Sequence, residues 1–308
     1  MSKSTLASVR DLSRTGVTMQ KTKLDIRPLA GALGAEIRGA DLRRLLDEDD
    51  RKAFRRALLD HLVIFFPDQG LSNEELLAFG KTWGALATYD FSPTLDADPE
   101  VVELAASSGK TADIWHTDLT HQPDPPLGSV LTMVRLPAVG GDTMWLNQYL
   151  SYERLSAPIR NLIDGLTAIH EYPDRLRKGI KNKDADPGNG TEHAVVQVHP
   201  ETGRKCLYVN RMYTTRIPQL SPSESHALLQ MLFAHSEDSR NVVRYRWSEG
   251  TTAVWDNRCT QHCVVNDFEG ERVIRRVTIA ADPLAKIESP WGNYVPGQSS
   301  TSTMMGVT

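Results

Sequence analysis

Asp113–His121 reads DIWHTDLTH, two histidines and two acids with an indole beside the first histidine. In an extended strand, residues i and i+2 point to one face, so His116 and Asp118 would present an imidazole and a carboxylate side by side. An H-x-D pair alone is weak evidence, because polar loops carry it by chance. Its surroundings strengthen it: Ile114 and Trp115 precede it, and HQPDPPLGSV follows as a proline-rich turn entering an apolar strand. Two histidines and one carboxylate bind ferrous iron and leave coordination positions open, so a third ligand is required. The best candidate is His262 in AVWDNRCTQHCVV, at the end of a strand carrying a Trp-Asp-Asn turn. Taken by itself, His262 reads equally well as a satisfied core histidine.

Two further stretches bear on that choice. LPAVGGDTMW places Thr143 just past a Gly-Gly turn at the head of a strand. GERVIRRVTIA places Arg272, Ile274 and Arg276 on one face of a strand, and Val273, Arg275 and Val277 on the other. Two guanidinium forks near a metal suit carboxylates or similar anions. Arg275 reads instead as part of a solvated edge.

The bulk properties fit a globular chain with a substantial core: 308 residues, 40% hydrophobic and 24% charged. The formal net charge of −4 gives no basic field for nucleic acid. No run of ~18 apolar residues is present, so no membrane partner is expected. Residues 1–22 lack the apolar segment of a secretory signal and read as a flexible extension; a faint likeness to an organelle presequence is opposed by Asp11. Three cysteines make no disulfide framework, and reduced thiols in the cytoplasm are expected.

Strands are predicted over 24–31, 61–69, 101–106, 128–136, 194–199, 204–210, 242–246, 252–256 and 273–281, with a loop after the first. Helices are predicted over 46–60, 72–82, 151–167 and 222–236. Ser72 followed by Glu75 forms a capping box for the second helix. Without β-α alternation, the pattern predicts a mainly β, largely antiparallel fold with helical insertions. Residues 173–193 are polar, contain glycine and proline, and read as a long loop suited to a lid. Residues 23–288 are taken as a single domain and 289–308 as a weakly packed tail.

WHTD, LPAVGGDTMW, HPETGRKCLYVNRMYTTRI, VWDNRCTQH and ERVIRRVTI occur in this order over residues 24–282. Together they resemble the taurine dioxygenase superfamily of iron(II)- and 2-oxoglutarate-dependent oxygenases. The resemblance implies a double-stranded β-helix (jelly-roll) core, with Fe(II), 2-oxoglutarate and O2 as reactants. It places the metal on His116, Asp118 and His262, and the distal carboxylate of 2-oxoglutarate on Thr143 and Arg272. It places the substrate anion on Arg276 and the backbone amide of Leu119. Related halogenases carry a small residue at the Asp118 position, so its carboxylate implies oxygenation. Tyr89, Ser92 and Ala112 stand where taurine enzymes carry polar groups. Phe91, Tyr208 and Tyr213 are candidate pocket walls, although core packing explains them equally well. Hydroxylation of a small organic acid (a carboxylate, sulfonate or sulfate ester), larger and more apolar than taurine, is therefore expected, with cleavage of a C–heteroatom bond where the hydroxylated carbon bears a heteroatom; taurine should be a poor substrate. A zinc hydrolase using the same ligands and a non-catalytic acid-binding protein are the alternatives. By analogy, a dimer or tetramer is expected.

Overall fold

In the computed structural model the described residues are 24–89, 94–106, 112–177, 184, 186–188 and 190–281. The chain opens with β1 (Asp25–Pro28), β2 (Ala35–Arg38), α1 (Glu48–His61), β3 (Val63–Phe66) and α2 (Asn73–Lys81). It continues through β4 (Leu86–Ala87), β5 (Val102–Ala106), β6 (Gly128–Arg135), β7 (Thr143–Asn147), α3 (Gln148–Glu153) and α4 (Ala157–Ile163). Next come β8 (Thr167–His170), α5 (Asp174–Arg177), β9 (Thr191–Ala194), β10 (Val196–Val198), β11 (Lys205–Leu207) and β12 (Thr214–Arg216). The chain ends on α6 (Pro222–Ser236), β13 (Val242–Tyr245), β14 (Thr252–Asp256), β15 (Thr260–Val264) and β16 (Arg272–Ile279).

The major sheet runs β1-β2-β3-β14-β6-β16-β4, with β5 also paired to β16, and a smaller sheet runs β13-β7-β15. Only β2 and β3 pair in parallel among the described strands. The apolar stretches in β3 and β14 serve two cores at once. Val63 and Phe65 of β3, with Ala253 and Trp255 of β14, face Trp145 and Val243 of the smaller sheet. Ile64, Phe66 and Val254 point the other way, against Phe54 and Leu58 of α1 and Leu76 and Phe79 of α2. A strand buried on both faces loses the polar alternation of a half-exposed one, which is why VIFF reads as a continuous apolar run. Each such fully buried side chain contributes roughly 1.5–3 kcal/mol. On α2, a Cβ at Gly80 would come within 2.7 Å of Val277, so the glycine lets the helix lie close against β16. These facing sheets form the expected mainly β, double-stranded β-helix core.

The capping box at Ser72 and Glu75 is present. Four expectations change. Residues 35–38, read as loop, form β2 beside β1. The helix expected over 151–167 is two short helices, split before α4, which follows Ser156 and carries Pro158 in its first turn, and is followed by β8. His262 lies within its own strand, β15, beyond the Trp-Asp-Asn turn. Residues 173–193 are not one loop, since α5 and β9 occupy its ends; 178–183, 185 and 189 lie outside the described residues. Phe91, Ser92 and the two terminal segments 1–22 and 289–308 also lie outside them.

Candidate active site

His116 and Asp118 are not in a regular strand. His116 forms an isolated antiparallel bridge with His262, and the two backbones exchange N–H···O bonds of 3.1 and 2.8 Å. The chain then turns sharply, with Leu119 in the left-handed region at φ 55°. Bridge and turn together do what the expected strand periodicity would have done. Nε2 of His116 lies 3.6 Å, and Nε2 of His262 3.9 Å, from Oδ1 of Asp118. One ligand atom from each of the three residues fits within a 4.8 Å span, and all three residues are buried.

The donor set is held in ligating form. Nδ1 of His116 donates to the Ile114 carbonyl at 2.8 Å, which leaves Nε2 as the free lone pair. Burial, with His116 adding to it, pushes the His262 imidazole down to about 3, so it is neutral at physiological pH. Its ring packs against Trp255 and Trp145. Burial would raise the Asp118 carboxyl, but the Arg276 guanidinium beside it prevails and holds the group ionised, well below the usual carboxylate range. Two imidazoles and one carboxylate form a set suited to ferrous iron.

Beyond the triad, β16 carries both arginines on the predicted face. Arg275 on the opposite face pairs with Glu103 of β5, both side chains part-buried, on a strand that is paired on both sides and so is no edge. Arg272 is 4% exposed and donates to the Gly141 carbonyl and to Oγ1 of Thr143, at 2.9 and 3.1 Å. Trp247 also donates to that hydroxyl, at 2.9 Å. A Cβ at Gly141 would press on Cδ of Arg272 at 3.2 Å, and Gly141 itself sits at φ 74°, so the Gly-Gly turn admits the arginine. No carboxylate among the described residues forms a salt bridge with Arg272, and burial pushes its guanidinium down to about 10. A buried cation without an acid is costly to maintain and suits an incoming carboxylate. Nη1 of Arg276 lies 3.0 Å from Oδ2 of Asp118, and its Nε is buried with no hydrogen-bond partner.

The pocket candidates divide. The Tyr213 ring meets His116 edge-on at 6.4 Å and stacks on His121 at 5.2 Å. Tyr89 lies in the field of Asp118 and Arg276; burial, then Asp118, raises its hydroxyl. Ala112 is exposed, and its carbonyl accepts from Val264, two residues past His262. Tyr208 instead packs on His170 and His193, because it follows β11 into the core, so it is corrected to a core residue. Trp247, His121, Tyr172 and Asn257 were not assigned from sequence. The Trp-Asp-Asn turn was the available signal for Asn257. A second buried trio, His199, Asp256 and Cys259, also converges. There the Asp256 carboxylate is already filled by Arg258 and His199, so it serves as a joint of the fold.

Residues 25–278 match the family described as "Taurine catabolism dioxygenase TauD, TfdA family". The chain belongs to that family. It is 37% identical over 301 residues to an "Alpha-ketoglutarate-dependent sulfate ester dioxygenase" of Pseudomonas putida, covering 92% of this chain and 96% of that one. It is 35% identical over 274 residues to an "Alkylsulfatase" of Acinetobacter baylyi, covering 84% and 86%. A crystal structure of a taurine dioxygenase from Burkholderia xenovorans superimposes with a TM-score of 0.75 at 36% identity, over 84% of this chain and 90% of that one. The chain is accordingly a 2-oxoglutarate-dependent dioxygenase, with Fe(II) and O2 as metal and co-substrate. No helix among the described residues is long and apolar enough to cross a membrane.

Proposed function

We propose that this enzyme oxidises an organic anion with an apolar body, a sulfate ester before a sulfonate or carboxylate, and uses taurine poorly. In this reading His116, Asp118 and His262 hold Fe(II), while Arg272 and Thr143 take the distal carboxylate of 2-oxoglutarate. Arg276 and the Leu119 amide take the substrate anion. Tyr89 offers a donor, and Tyr213 and Ala112 line the body of the substrate. The observation that carries the reading is Arg276, whose guanidinium touches Asp118 while its Nε lacks a partner. An anion held there keeps its neighbouring carbon beside the metal ligands.

The bound iron and 2-oxoglutarate supply the oxidising chemistry, and the protein supplies positioning and exclusion of water. One oxygen atom of O2 enters a C–H bond of the carbon bearing the sulfate. The other enters succinate as 2-oxoglutarate loses CO2. The hydroxylated carbon then expels sulfate, giving an aldehyde and a proton. The names of the two relatives favour this outcome, and Ala112, which cannot hydrogen-bond through its side chain, disfavours an amine-bearing substrate.

The test is a panel of alkyl sulfates, alkyl sulfonates, aryloxy acids and taurine, scored by succinate and by released sulfate. Alkyl sulfates should give both products in equal amounts. Rapid turnover of taurine, or succinate release that no anion stimulates, would overturn the reading. Assembly as a dimer or tetramer, a single domain over 23–288 and a cytoplasmic location are proposed alongside it.

A further inference from the structure

Asp118 sits in neither a helix nor a ladder, and the residue after it, Leu119, holds a left-handed backbone at φ 55°. That conformation is unfavourable for a residue with a branched side chain, so surrounding contacts must impose it. The Leu119 carbonyl accepts from the Gln122 amide at 2.9 Å, and the backbone of Asp118 before it is held by one side chain. Oδ1 of Asn257 accepts from the Asp118 amide at 2.8 Å, and Nδ2 of Asn257 donates to the Asp118 carbonyl at 3.0 Å. The same Nδ2 donates to the Pro126 carbonyl at 3.1 Å, and the Asn257 amide donates to the Leu127 carbonyl at 2.9 Å. Asn257 is 1% exposed.

A carboxamide offers a donor and an acceptor side by side, the arrangement of a peptide group. Asn257 thus grips both polar groups of Asp118 as a neighbouring strand would, where no strand runs. Aspartate would present only acceptors to two carbonyls, and serine only one polar atom. The grip itself is anchored. The adjacent Asp256 amide donates to the Leu62 carbonyl at 2.9 Å, and its carboxylate is held by Arg258 and His199. Oγ1 of Thr260 donates to the Asp256 carbonyl at 2.7 Å, and Oγ1 of Thr117 donates to the Thr260 carbonyl at 2.8 Å.

We infer that Asn257 is a positioning residue for the metal: it fixes the backbone of Asp118, and through it the direction of the carboxylate and of the Leu119 amide. This rests on the assignment of His116, Asp118 and His262 as metal ligands. Partners that orient a ligand without touching the metal change its affinity on the order of 10- to 100-fold when removed.

The experiment titrates Co(II) into metal-free protein, following its visible absorption, for wild type, Asn257→Ala, Asn257→Asp and Asn147→Ala. Asn147 is the control: its buried carboxamide also bonds two backbone groups, at Leu150 and Ala32, but none in the Asp118 turn. Asn257→Ala and Asn257→Asp should weaken Co(II) at least 10-fold and alter its absorption spectrum, while Asn147→Ala lowers the Tm and leaves both unchanged. If Asn257→Ala does not fold, Asn257→Asp, of the same shape, carries the test. Wild-type affinity and spectrum in a folded Asn257 variant would overturn the inference, as would an equal loss in Asn147→Ala. Failure of the wild type to bind Co(II) would overturn the ligand assignment instead.

Discussion

Replacing Arg272 by methionine separates its cost to the fold from its value to the reaction. Burial lowers its guanidinium from 12.5 to about 10, while the field of Asp142 acts in the opposite sense. The unfolded chain therefore holds this proton more tightly than the folded one. At about 1.4 kcal/mol per pH unit, the charge costs the free enzyme about 3 kcal/mol. That cost is complete below pH 10 and fades only between about pH 10 and 12.5, beyond any assay. Methionine removes it and keeps most of the stem, but it leaves the Gly141 carbonyl short of a donor, a penalty of about 1–3 kcal/mol. The two effects nearly cancel, so the Tm of the metal-free, co-substrate-free variant should lie within about 4 °C of wild type. Binding of 2-oxoglutarate should suffer far more. Losing one partner of a buried charge-assisted pair costs about 2–5 kcal/mol, or roughly 30- to 5,000-fold in affinity. Anaerobic calorimetry of the Fe(II)-loaded variant measures that loss directly. A large fall in Tm with unchanged 2-oxoglutarate affinity would show that Arg272 is a structural cation and that the co-substrate carboxylate binds elsewhere.

Four other substitutions probe the remaining roles. His262→Ala and His116→Ala should each abolish Fe(II) binding in anaerobic titrations while preserving the circular dichroism spectrum; iron affinity equal to wild type in both would exclude them as ligands. Arg276→Ala should raise KM for the anionic substrate much more than for 2-oxoglutarate, and the reverse pattern would exchange the roles of Arg276 and Arg272. Asp256 is a test of pH dependence: burial would raise its carboxyl, but bonds from Arg258 and His199 prevail and hold it low. Its stabilisation is therefore full above the ordinary carboxylate pKa of about 3.8 and is lost as pH falls toward the depressed value. Arg258→Met should move acid unfolding to higher pH and cost about 3–5 kcal/mol in urea titrations near neutrality, and no change in either would contradict the joint assigned to this trio.

What the sequence revealed followed from where local pattern and chemistry coincide. Strands such as β14 and β16 were legible because β-branched and aromatic runs end at turn residues. β2 was missed because AEIR is four residues long and mixes charge with apolar groups, so its pairing with β1 and β3 comes from tertiary context. The 151–167 helix was overextended because LTAIH continues the apolar pattern of α4 without a proline; Gly165, at φ 89°, breaks it. Arg272 and Arg276 were found by period-2 spacing, a backbone property. Trp247 and Asn257 were not, since their roles depend on partners more than 100 positions away in sequence. No periodicity encodes such contacts.

The two arginines show how one strand supplies two different anion positions. Arg272 and Arg276 share a face of β16, yet the register against β6 shifts between Val273 and Ile274. On the β6 side, Arg135 pairs with Val273 and Met133 with Ile274, so Val134 is the extra residue of a bulge. Such a bulge bends and twists a strand locally, which lets neighbours on one face meet different surroundings. Arg272 goes under the Gly140–Gly141 turn to Thr143, which Trp247 also bonds, and forms no salt bridge with an acid among the described residues. Arg276 stays beside Asp118, half-buried, with its charge already partly answered. A dicarboxylate that must be gripped tightly at its far end matches the first environment. An anion that must leave as product matches the second, where the Asp118 carboxylate can take the guanidinium back.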